Sequence, residues 1–126
     1  MPKEVENSKF KIPEDGKPIL IGKILKKNKF FMQQERKFEL YPNGDLKYFN
    51  GIQQKGMMQL TKKSKVRKTG KIDFEIVLPE VGKTYKMIQL DAKKMPPKGE
   101  AYSCLIDDWV DAINFVIALL TTQPDK

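Results

Sequence analysis

The 126-residue chain has room for one domain, and its net charge of +8 comes from 24 basic against 16 acidic side chains. Histidine is absent and Cys104 is the single cysteine, which excludes zinc centres, Cys–His and Ser–His–Asp nucleophiles and an internal disulfide. There is no phosphate-binding glycine loop, no apolar run near the length of about 20 residues that a spanning helix needs, and no apolar core in the N-terminus, so the expectation is a non-enzymatic cytoplasmic protein without cofactor or metal.

Residues 1–18 mix prolines with balanced charge and show no periodicity, which predicts a flexible N-terminal arm. Short runs then alternate with turn signals. An apolar run ends at Leu25, and residues 36–41 alternate up to Pro42-Asn43-Gly44-Asp45, a hairpin turn in which Asn-Gly supplies positive φ. Further runs cover 46–49, 56–60, 65–68, 73–78 and 84–90, divided by Asn50-Gly51, Thr69-Gly70 and Pro79–Gly82. Seven short strands starting about every ten residues predict a small antiparallel barrel or sandwich.

After the Pro96-Pro97-Lys98-Gly99 break the period changes. Trp109, Ala112, Ile113, Val116, Ile117 and Leu120 fall at steps of three and four, the stripe of an amphipathic helix. Asp107, Asp108 and Asp111 lie in its first turns, where negative charge complements the helix dipole. Gln123-Pro124 ends it. The reading is one domain over 19–121 with a tail at 122–126: mainly β, an antiparallel, partly open seven-stranded barrel with the helix as its plug.

The charge is unevenly placed. Residues 19–71 hold fourteen basic and three acidic side chains, an excess of eleven, whereas 1–18 and 72–100 are balanced and 101–126 is acidic. Such a field attracts polyanions. A generally basic surface that serves solubility is the plainer alternative.

Strand by strand, the chain resembles the pleckstrin homology family. Gly22-Lys23-Ile24-Leu25-Lys26 resembles the opening Gly-x-Leu-x-Lys strand. Arg36–Leu40 and Asn43–Phe49 resemble the second and third strands, Lys55–Leu60 the fourth, Thr84–Met87 the last, and Asp107–Ile113 the Trp-bearing terminal helix. Only 93–104 deviates.

The resemblance implies a peripheral membrane module at the inner face of membranes. It would bind phosphoinositide or other anionic headgroups in a basic pocket between strands 1 and 2. Lys26 and Arg36 would be the phosphate ligands, a point charge beside a guanidinium fork, with Lys27 and Lys29 from the loop, the Tyr48 hydroxyl, and Lys55. Gln34 and Glu35 depart from the family's basic-x-Arg triplet, so the cradle lacks one formal charge. Ordinary solvated rim charge is the competing reading of these residues, and packing is the competing reading of Tyr48.

Phe30, Phe31 and Met32, ringed by lysines, suit a wedge entering the headgroup region. Alternation offers another reading, in which Phe30 and Met32 open the second strand and share the core-facing parity of Phe38 and Leu40. The second basic cluster, Lys62, Lys63, Lys65, Arg67, Lys68 and Lys71, suits a diffuse electrostatic patch or a lysine-guarded edge strand. It has no interleaved aromatics for base stacking, so specific nucleic-acid binding is not expected. A protein-interaction adaptor for an acidic partner is the alternative function.

Overall fold

The computed structural model describes residues 9–28, 30 and 32–122. Seven strands precede one helix: β1 (Leu20–Lys27), β2 (Gln33–Leu40), β3 (Asp45–Asn50), β4 (Gln53–Gln59), β5 (Lys65–Lys68), β6 (Asp73–Leu78), β7 (Lys83–Ile88) and α1 (Ile106–Thr122). The strands form one antiparallel sheet in the order β4-β3-β2-β1-β7-β6-β5, with β4 and β5 as its two edges. The sheet is therefore not closed. With its single C-terminal helix it is consistent with the pleckstrin-homology-like architecture expected from the sequence.

Alternation decides which faces meet. On β6, Phe74, Ile76 and Leu78 are buried while Asp73, Glu75 and Val77 are not, the period-2 pattern of a half-buried strand. Leu20 and Ile24 of β1, Phe38 and Leu40 of β2, Leu46 of β3, Met58 of β4 and Met87 of β7 are buried in the same core cluster. Strands from both ends of the sheet share that one core, so the sheet is bent around it. Helix α1 adds Ile106, Trp109, Ala112, Ile113, Phe115, Val116 and Leu119. Its buried face is wider than the expected stripe, and Ile117 and Leu120 are only partly buried at its margin. Each large side chain fully removed from water contributes about 1.5–3 kcal/mol.

The deviant stretch has a structural reason. Strand β7 pairs with β1 only at Leu25–Ile88 and Lys26–Met87, which leaves the early half of β1 without a partner on that side. Residues 101–103 supply one. The Ile21 N–H donates to the Ala101 carbonyl at 2.8 Å, and the Ser103 N–H donates to the Ile21 carbonyl at 2.9 Å. The approach is so close that a Cβ on Gly22 would stand 1.8 Å from the Ser103 carbonyl oxygen and 2.9 Å from Trp109 Nε1. That same carbonyl accepts the Trp109 indole N–H at 2.7 Å, which fastens helix, connector and first strand to one another.

The described part of the N-terminal segment lies on the helix. Lys9 pairs with Asp108 at 2.6 Å and with Asp111 at 3.4 Å, and the Phe10 ring sits 6.0 Å from that of Phe115. Among the described residues no helix is long and apolar enough to cross a membrane.

Candidate functional site

In an antiparallel pair, residues opposite each other share a face. Lys26 lies opposite Gln34 on one side and Met87 on the other, and Met87 is buried. Lys26 therefore belongs to the concave, core-facing side of the sheet, at its rim. Arg36 lies opposite Ile24, which is buried, so Arg36 shares that face. Tyr48 lies opposite Phe38 and Gly56 and shares it too. Lys26 and Arg36 are diagonal neighbours, which places their Cα atoms about 7–8 Å apart.

Lys26 also reaches the aromatic rings of two other strands. Lys26 Nζ stands 5.2 Å from the Tyr48 ring centroid and 5.5 Å from that of Tyr85, within reach of cation–π attraction to both. Burial lowers the Lys26 pKa, and the like charges of Arg36 and Lys83 lower it further. Burial raises the Tyr48 hydroxyl, Tyr85 adds to this and Arg36 opposes it. Tyr48 lies across Gly56, where an added Cβ would come 2.3 Å from its hydroxyl oxygen. The Arg36 guanidinium donates through Nη1 to the Glu35 carbonyl at 2.8 Å. Arg36 and Lys83 thus both act on Lys26, and among the described residues none of the three is in an ion pair. A multiply charged anion would fit that field.

A cleft of about 500 Å³ lies beside these side chains, lined by Lys26, Lys27, Asn28, Phe30, Lys83, Thr84 and Tyr85 and not by Arg36 or Tyr48. Lys83 and Tyr85 were missed in the sequence. Their parity with core-facing Met87 was the available signal. The cleft thus lies between the end of β1 with its following turn and the start of β7.

The other expected residues are placed differently. Lys55 is exposed and is the extra residue of a β-bulge, since β4 shifts register between the partners of Tyr48 and Phe49. No described contact joins it to the Lys26 group. Lys29 and Phe31 lie outside the described residues. Phe30 and Met32 precede β2, at 69% and 64% exposure, and the core-facing alternative for both is not realised. In the second basic cluster Arg67 pairs with Glu75 at 3.0 Å and Lys68 with Asp107 at 2.7 Å, so part of that charge is compensated.

A second cavity, of about 410 Å³, lies between the N-terminal segment and residues 98–103. Of its three cations, Lys9 and Lys98 are held by Asp108 at 2.6 and 3.0 Å, and Lys11 is the third. No family model matches the chain, and no curated protein matches it.

Proposed function

We propose that the chain is a peripheral docking module of the pleckstrin homology type that binds phosphoinositide or related anionic lipid headgroups at the rim of its open sheet. One observation carries the reading: Arg36 and Lys83 both stand close enough to Lys26 that, with burial as the first cause, their like charges lower its pKa. Like charges held together without a carboxylate are costly unless an anion relieves them. Arg36 is the planar fork for a phosphate, Lys26 and Lys83 are point charges to either side, and the Tyr48 hydroxyl is a neutral donor. Gln34, opposite Lys26, contributes an amide where a further charge would strengthen the grip.

Co-sedimentation with phosphatidylcholine vesicles, with and without phosphoinositide, tests it. The intact protein is expected to follow the phosphoinositide vesicles, and Arg36→Ala or Lys26→Ala each to lose about tenfold in affinity, the worth of one charge-assisted hydrogen bond. Equal recovery on neutral and anionic vesicles at low salt would falsify the reading.

A further inference from the structure

The topology places three turns at one end of the molecule. Strands β1 and β3 are both antiparallel to β2, so the β1–β2 and β3–β4 turns leave the sheet at the same end. Strand β7 is antiparallel to β1, with its first residues beyond Lys26, which brings the β6–β7 turn to that end too. This is the end that carries Lys26, Arg36 and Lys83.

Each of these turns presents large apolar side chains outward. Phe30 and Met32 of the β1–β2 turn are 69% and 64% exposed, Ile52 of the β3–β4 turn is wholly exposed, and Val81 of the β6–β7 turn is 62% exposed. Among the described residues these are the four most exposed large apolar side chains, and all four stand on one rim. Local hydrogen bonds shape two of the turns. Asn28 Oδ1 accepts from the N–H groups of Phe30 and Met32 at 2.9 and 3.0 Å, and the Gly82 N–H donates to the Pro79 carbonyl at 3.2 Å. Apolar tips gathered around a recessed cationic cleft match one environment, a bilayer surface with anionic headgroups. The cations meet the headgroup layer while the tips reach the acyl boundary about 5–10 Å deeper. Glu80 is the single acidic residue in the three turns.

We propose that all three turns enter the bilayer interface together, Ile52 and Val81 alongside Phe30 and Met32, and so give docking a component that salt does not screen. The inference rests on the lipid-docking reading above. The test compares the intact chain with the Ile52→Ser/Val81→Ser double variant on phosphoinositide vesicles over a range of salt. Both positions are solvent-exposed, so the fold is retained. The double variant is expected to bind about tenfold more weakly at every salt concentration, with the same salt slope as the intact chain. Arg36→Ala should instead flatten the slope. A polarity-sensitive dye on Ile52→Cys, with Cys104 only 2% exposed and so shielded from labelling, should shift to the blue on vesicles and stay unchanged with soluble inositol phosphate. If the intact chain binds anionic vesicles while the dye is silent and the double variant binds equally well, insertion is wrong and headgroup docking stands. If no anionic vesicle retains the intact chain, both ideas fall.

Discussion

Lys26 keeps its charge in a place that resists it. Burial is the first cause of its lowered pKa, and the like charges of Arg36 and Lys83 follow. An anion seated among the three cancels the repulsion and moves the pKa back toward its ordinary 10.5. Below the lowered value Lys26 is protonated with or without ligand, so no proton moves on binding. Between the lowered value and the ordinary one, the free protein has lost the proton and the complex regains it. Affinity for a soluble inositol phosphate should therefore fall as alkaline pH passes the lowered pKa. Calorimetric titrations in two buffers of different ionisation heat should show proton uptake in that window and none in Lys26→Met. Uptake that persists in the variant would place the anion away from Lys26. At this scale the resemblance singled out Lys26, Arg36 and Tyr48, which share the core-facing side of the sheet. For Lys83 and Tyr85 the sequence offered only their parity with Met87, because what draws them in is the β1–β7 pairing, a contact between residues some sixty positions apart.

Strands were the most legible elements, since alternation and turn residues are local signals. The run 73–78 corresponds to β6, and 65–68 to β5. The connector 93–104 was opaque because its role is to complete an edge of β1 that β7 leaves open, and nothing within the connector advertises a partner in the first strand. Gly22 is where that dependence can be measured. An alanine there sets a Cβ against a backbone carbonyl, which cannot rotate aside as a side-chain tip would, at a nominal 1.8 Å. Gly22→Ala should therefore lower the free energy of unfolding by about 2–3 kcal/mol, toward the upper end of overpacking costs. Hydrogen exchange should show residues 101–103 losing protection first. Unchanged stability would mean that the connector can detach from β1 without penalty. The β1–β2 tip illustrates another limit. Parity alone allowed Phe30 and Met32 to face the core, but β2 begins only at Gln33, and the turn turns them outward.

For the molecule as a whole, Asp108 is the charge on which distant segments converge. Sequence reasoning assigned it to the helix dipole, yet it also accepts from Lys9 at 2.6 Å, from Ser103 Oγ at 2.6 Å and pairs with Lys98 at 3.0 Å. Burial alone would push its carboxyl up. The hydrogen bonds from Lys9, Ser103 and Lys98 together outweigh that and hold it at about 2. A depressed carboxyl stabilises the fold above its ordinary value of 3.8, and the contribution is lost as pH falls through about 2. It amounts to roughly 2 kcal/mol. Asp108→Asn should cost about that much at neutral pH and flatten the acid limb of a stability-versus-pH curve from denaturant melts. A variant with the same acid limb as the parent would assign the acid sensitivity to other carboxylates. Those melts have a reporter supplied by the fold. Trp109 is the single tryptophan, wholly screened from solvent and edge-on to Phe38 at 6.3 Å. Its ultraviolet emission should redden only when the interior comes apart, and should stay constant while a headgroup occupies the rim, so one optical channel records loss of the native state independently of ligand occupancy.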